Sequence, residues 1–412
     1  MKVSSLGASI TSILLPNYTE PSSQSFDDVV LSYKSPEEQY QHDNTQFFSA
    51  IVGRVANRIK DGRFQLRQND ELCEDVTTYN LDRNDGNVNH LHGGYVGFSH
   101  RIWDAEMEQN QVKFTLRSED GDQGYPGGIK VTAIYSLVAN DDKFNIHDVG
   151  AKLKLQMCGC LQEGETKATP IALAQHSYFN LASHSSSQRI LNHVLHMPYC
   201  DKFTPLYNTS IPTKKVQSVT AVEEMDFSQP KQISDALFEY GVEMVGLTPE
   251  SASGNIKQVV DHGSKETICK VPKEGGAVGS NLDGDKPYGF DHNYVISGSY
   301  DNNDSGLYIL RLAAILSHPQ TRRSMSIHTT APGVQLYTSN YLSGSNPPPH
   351  LCKDNSTYSQ WQGICLETQT FPDSIYPVTP RADDKFGRGR CFILQPGGKD
   401  YFHEVHYVFG KM

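Results

Sequence analysis

Ile129-Lys130-Val131-Thr132-Ala133-Ile134-Tyr135-Ser136-Leu137 carries an apolar side chain at every odd position and mainly polar ones between them. A period of two sends alternate side chains to opposite faces, the pattern of a half-buried strand, whereas an amphipathic helix repeats near 3.6. Shorter runs of the same kind lie at 114–116, 307–316, 325–328, 334–337, 364–369 and 405–409. Turn formers separate them, as in Asp120-Gly121-Asp122-Gln123-Gly124-Tyr125-Pro126-Gly127-Gly128, which suits tight connections between antiparallel strands. Helical signal is confined to 35–42 and 235–245, too little for a βαβ repeat. The chain therefore reads as all-β, a large antiparallel β-sandwich. Residues 1–412 are expected to form a single domain with polar, Gly/Pro/Ser-rich surface insertions near 249–286 and 343–360.

Composition excludes several classes. The formal net charge of −11 comes from 47 acidic against 36 basic side chains, and no Lys/Arg-rich run is present to track a phosphate backbone or an anionic membrane. Nucleic acid and membrane are thus not expected as partners. The first residues lack a secretory leader pattern and no stretch approaches the roughly 18 apolar residues of a spanning helix, so a cytoplasmic protein is expected, a monomer or weak homodimer. Eight scattered cysteines read as reduced thiols. A Gly-x-Ser-x-Gly elbow, a phosphate loop and a dinucleotide fingerprint are all missing from the sequence. His403-Glu404-Val405-His406 is one residue short of a zincin motif and lies in strand-like sequence, and Cys158-Gly159-Cys160 has no partner pair, so neither is expected to hold metal.

What remains is a series of polar clusters set in strand-and-turn sequence. They are Gly53-Arg54-Val55-Ala56-Asn57-Arg58-Ile59, Asn89-His90-Leu91-His92-Gly93-Gly94, Gln175-His176-Ser177-Tyr178-Phe179-Asn180-Leu181, Gly289-Phe290-Asp291-His292-Asn293, Pro332-Gly333-Val334-Gln335-Leu336-Tyr337-Thr338 and Cys365-Leu366-Glu367-Thr368-Gln369. In this order, and with the 118–127 segment between them, the set resembles the aldose 1-epimerase (galactose mutarotase) family over nearly the whole chain. Departures are small: Gln175 stands where Asn often precedes the histidine, and Ser339 where Gly is common before Asn340.

The resemblance implies a galactose mutarotase-like supersandwich that binds a small aldohexose on a concave sheet face and interconverts its α and β anomers. It places the catalytic acid on His176 and the base on Glu367, and sugar-binding roles on Asn57, Arg58, His92, Tyr178, Asp291 and Gln335, with no cofactor or metal. The chemistry suits these types. Opening a cyclic hemiacetal needs one group to take the O1 proton and another to protonate the ring oxygen. An ionised Glu367 and an imidazolium near its reference pKa of roughly 6.5 would serve, giving a bell-shaped pH dependence in which the carboxylate sets the acidic limb. Glu367 shares a strand face with Cys365 and Gln369, with Ile364 and Leu366 packing behind. Arg54 and Arg58, four apart, are expected on one strand face, as are His90 and His92; in each pair only the resemblance selects the second member. Asp291 and Gln335 are natural hydroxyl partners, yet each also suits a turn or ladder position. A non-catalytic sugar-binding protein would need neither Glu367 nor His176, a sugar-phosphate epimerase would need more basic groups, and a glycoside hydrolase would leave the histidine unexplained.

Overall fold

The computed structural model describes residues 1–19, 25–67, 76–139, 150–238, 289–297, 309–375 and 389–412. The expected insertion at 249–286, the end of the 235–245 helix and the start of the 307–316 run lie outside them. Two antiparallel sheets dominate. The nine-stranded sheet runs in the order Asp104–Glu108, Gln111–Ser118, Ile129–Ala139, Gly150–Leu161, Tyr401–Lys411, Arg323–Thr329, Arg311–His318, Val194–His196 and Lys231–Gln232. The six-stranded sheet runs Tyr178–Phe179, Ile364–Gln369, Gly333–Tyr337, Asp291–Val295, Lys202–Phe203 and Gln217–Ser218.

Alternation explains how they stack. Ile129, Val131, Ala133 and Tyr135 point inward and are buried, joined by Leu153, Leu155 and Met157 from the next strand and by Val405, Tyr407 and Phe409 from the strand beyond. The smaller sheet answers with Leu336, Val334, Ile364 and Leu366 in the same core. At roughly 1.5–3 kcal/mol for each large apolar side chain fully buried, this interlayer is the main favourable contribution to the fold. Leu137 is 42% exposed, so the inward pattern stops at Tyr135 although the strand runs on to Ala139. The core also holds a polar pair: His403 Nε2 lies 3.0 Å from Thr368 Oγ1 on the facing strand. His406, three residues on, points to the other side and bonds Glu404 Oε1 at 2.7 Å, so the two histidines of the zincin-like run lie on opposite faces of the Tyr401–Lys411 strand.

Helix is scarce among the described residues. Pro36–Gln41 forms behind its N-cap Ser35, whose hydroxyl accepts from the Glu37 amide, and Ile233–Phe238 is its only α-helical companion there. The six described cysteines are free thiols. No described helix is long and apolar enough to cross a membrane.

The 343–360 segment is less superficial than its composition predicts. Cys352 and Tyr358 are buried with Leu31, Tyr33, Phe48 and Tyr178 in a second apolar cluster. Lys353 Nζ reaches Asp28 Oδ2 at 2.8 Å and Tyr358 Oη meets His184 Nδ1 at 3.0 Å, which ties the segment to the N-terminal strands. Phe48 stands between, its ring 5.6 Å from Tyr358 and 4.9 Å from Tyr178. Apolar residues spaced irregularly among Gly, Pro and Ser conceal such a contact from a periodicity reading.

Candidate active site

On its other face the six-stranded sheet carries polar side chains. Antiparallel pairing sets Gln335 opposite Glu367, Tyr337 opposite Cys365 and Asp291 opposite Tyr337, so residues of one parity converge while Leu336 and Leu366 go to the core. Above them opens a cavity of about 460 Å³ lined by His176, Glu367, Asp291, Tyr178, Tyr337, Asn57, Arg58 and His92 among others.

His176 follows the short Ala174–Gln175 strand, and its amide bonds Ala50 O at 3.0 Å. Its Nε2 lies 3.6 Å from Glu367 Oε1, and Cys365 Sγ is 3.7 Å from Nδ1. Burial holds the Cys365 thiol well above its ordinary range, so it stays protonated; its sulfur can accept from Nδ1–H, which leaves the Nε2 lone pair facing Glu367 to take up a proton. Glu367 is 2% exposed, and its Oε2 has no hydrogen-bond partner among the described residues.

Burial also corrects the expected protonation. Desolvation pushes His176 down to about 4 and, with Asp291 adding to it and Arg58 opposing, pushes Glu367 well above the carboxylate range. Both directions favour the uncharged pair, with the proton on the carboxyl and not on an imidazolium near its reference value.

The binding candidates divide. Arg58 pairs with Asp85 (Nε to Oδ2, 2.7 Å) and approaches Asp291 (Nη1 to Oδ2, 3.6 Å). Burial works against its charge, but the two carboxylates more than offset that and hold the guanidinium above its ordinary value. Tyr178 walls the cavity with its ring while its hydroxyl donates to Gln46 O at 2.9 Å. Gln335 does not line the cavity: its amide donates to Asp291 Oδ1 at 2.7 Å and its carbonyl accepts from Gln369 Nε2 at 3.3 Å. It fixes the carboxylate from behind.

The two same-face expectations fail for one reason. Asn57 (φ 62°), between Arg54 and Arg58, and His92 (φ 49°), itself one of its pair, adopt left-handed backbone, which breaks strand alternation. Arg54 consequently turns inward, its guanidinium donating to Pro126 O at 2.9 Å, Gly127 O at 2.7 Å and Ser118 O at 3.3 Å. His90 turns to Asp82 O at 2.7 Å, beside Tyr125. His92 faces the cavity, and the following Gly93 passes so close to Gly53 that a Cβ would sit 1.9 Å from its carbonyl oxygen.

His92, His176 and Glu367 bring ligand atoms within 4.8 Å of one another, a spacing a divalent ion spans. One contact argues against that use. The Asn57 amide donates to His92 Nδ1 at 3.1 Å, so Nδ1 is an acceptor and the imidazole hydrogen sits on Nε2. Coordination through Nε2 would drive that hydrogen onto Nδ1, against the amide. His92 is better suited as a hydrogen-bond donor, and burial beside His176 and Arg58 keeps it neutral.

Among the lining residues that escape a sequence reading are Phe47, Asp85 and Tyr341. Phe47 (φ 55°) presses its ring 4.7 Å from His92 and 5.8 Å from His176. Its place just before the Gly53 cluster is the only signal. Asp85 lies in an ordinary-looking Asn-Asp-Gly turn, 27 residues from the arginine it serves.

The model of the family described as aldose 1-epimerase matches residues 1–388. The chain belongs to the aldose 1-epimerase family. It is accordingly an epimerase-type isomerase acting on carbohydrates. Among its relatives are the galactose mutarotase of Bos taurus, 30% identical over 93% of this chain and 84% of that one, and the aldose 1-epimerase of Escherichia coli K12, 28% identical over 98% and 90%. Among solved structures, a GalM/aldose epimerase homologue from C. elegans (TM-score 0.68, 21% identity, 99% of this chain and 94% of that one) and the galactose 1-epimerase of Lactobacillus acidophilus (0.61, 22%, 99% and 90%) share the fold.

Proposed function

We propose that the cavity interconverts the α and β anomers of a free aldohexose, galactose and glucose among them, with Glu367 as base and His176 as acid. The observation that carries this reading is the buried Glu367 Oε2, without a partner among the described residues and beside an imidazole 3.6 Å from its twin oxygen. A buried carboxyl oxygen without a donor costs about 1–3 kcal/mol, which a sugar hydroxyl would recover. Hydrogen bonds from the sugar favour the ionised carboxylate, so the shared proton passes to His176 as the sugar seats. Glu367 then removes the proton from O1; C1–O1 becomes a carbonyl as C1–O5 breaks, and O5 takes the proton from His176 Nε2. Rotation about C1–C2 and the reverse transfers close the other anomer.

Asp291, held by Gln335, and Arg58, held by Asp85, grip the remaining hydroxyls, with His92 Nε2–H and Asn57 alongside and the Tyr178 ring as a wall. Arg58 is the single Lys or Arg among the lining residues and two aspartates already neutralise it, which favours an uncharged sugar over a phosphorylated one. The enzyme is proposed to act in the cytoplasm, as a monomer or weak homodimer. The test is the decay of optical rotation of freshly dissolved α-galactose and α-glucose with purified protein. A decay no faster than the buffer control for both sugars would sink the reading.

A further inference from the structure

The Ile364–Gln369 strand that carries Glu367 leads, four residues on, to Asp373, a residue outside the cavity whose amide, carbonyl and carboxylate are all hydrogen-bonded to Arg58, Lys60 or Lys214. Its amide donates to Arg58 O at 2.9 Å, and its Oδ1 accepts from the Lys60 amide at 2.9 Å, so it clamps the main chain around Ile59, immediately after Arg58. Lys214 Nζ donates both to Asp373 O and to its Oδ2. Lys214 closes the 205–213 turn, in which Tyr207 N–H bonds Ile211 O at 2.8 Å and Thr213 N–H bonds Pro205 O at 2.8 Å. That turn presents Asn208, Thr209 and Ser210 to the cavity rim, where Asn89 Nδ2 also donates to Thr209 O at 2.9 Å.

We propose that Asp373 is a positioning residue: it staples the base-bearing strand to the main chain of Arg58 and hangs the 205–213 rim from the same point, setting the gap into which the sugar fits. This rests on the cavity being the sugar site. The physical reason is geometric. Glu367 and Arg58 belong to different strand systems, since among the described residues the Arg58–Ile59 strand pairs with His90–Leu91 and not with the six-stranded sheet. Their spacing is therefore not set by a shared ladder. Asp373 crosses that seam with two hydrogen bonds to main-chain atoms and with a partly buried ion pair to the rim. Its own backbone is left-handed (φ 51°), a conformation that a non-glycine residue keeps only when its surroundings impose it.

The test compares Asp373→Ala, Asp373→Asn and Lys214→Met with the wild type on α-galactose. Removing the side chain frees the Lys60 amide and the rim, so KM is expected to rise by about tenfold in Asp373→Ala with kcat within about threefold, the mark of a lost hold on substrate. Asparagine keeps an oxygen for the Lys60 amide and should restore most of the loss. Lys214→Met releases only the rim and should raise KM by roughly two- to threefold with kcat unchanged. An Asp373→Ala enzyme with unchanged KM, whatever its melting temperature, would reduce the residue to a brace of the fold and overturn the proposal. If that variant does not fold, wild-type KM in both other variants overturns it equally. Should the wild type not mutarotate at all, the catalytic reading fails instead, and calorimetric titration with galactose still decides the staple: affinity must drop in Asp373→Ala.

Discussion

The two faces of the Ile364–Gln369 strand are made of adjacent residues and obey opposite rules. Leu366 is 2% exposed and packs in the interlayer core, where every atom finds a neighbour. Glu367 is buried to the same degree, yet one of its oxygens has no partner among the described residues. Equal burial thus serves cohesion on one side and a held-open polar site on the other. The first face can be replaced only by matching shape; the second can be replaced in shape and still lose its purpose.

The sharpest way to break the comparison is at Glu367 itself. Glu367→Gln, and His176→Asn beside it, should each lower kcat by roughly 10²–10⁴-fold; in Glu367→Gln the melting curve should stay close to wild type, because volume is kept and only proton transfer is lost. Near-normal turnover in either variant removes that residue from the mechanism. One position away, Leu366→Ala should do the reverse. A loss of about 2–5 kcal/mol in unfolding free energy by denaturant titration is expected, with kcat of the folded fraction little changed. If turnover falls as far as stability, the two faces are not separable.

The pH dependence sharpens the contrast further. Below about 4 the His176–Glu367 pair holds two protons and has no base; above the raised carboxyl value it holds none and has no acid. The kcat/KM profile should therefore be a bell whose acidic limb comes from the pair's histidine and whose alkaline limb comes from its carboxyl, the two apparent values belonging to the pair. This inverts the assignment made from reference values. In Glu367→Gln the alkaline limb should vanish from the residual rate after correction for buffer catalysis; its persistence would point to another acid. The smallest expected effect is none. Because the Asn57 amide occupies His92 Nδ1, exhaustive chelation should leave mutarotation unchanged, and a loss restored by one metal would show that the His92, His176 and Glu367 triangle does bind an ion.

Much of the fold was legible because strand periodicity is a local property: the 129–137 run and the 364–369 run each announce their buried faces residue by residue. The site was legible as a set of motifs, but not its wiring. Asp85 serves Arg58 from a turn with no distinguishing pattern. Gln335 and Asp291 look interchangeable as hydroxyl partners until the amide is seen to lie behind the carboxylate. Arg54 and His90 were expected to face with Arg58 and His92, and two left-handed residues redirected them. The protonation of His176 and Glu367 depends on desolvation by distant segments, which no spacing encodes.

Phe47, Asn57, His92 and Ser210 all border the cavity and all hold positive φ. Each such residue forgoes of order 1 kcal/mol relative to relaxed backbone. A laboratory selection for heat resistance would therefore drift toward the small polar pair, Asn57 and Ser210, since glycine there releases that energy without deleting a packed ring. The variants so obtained should survive hotter and bind sugar more loosely, so this cavity's rim is where thermostability and turnover trade against each other.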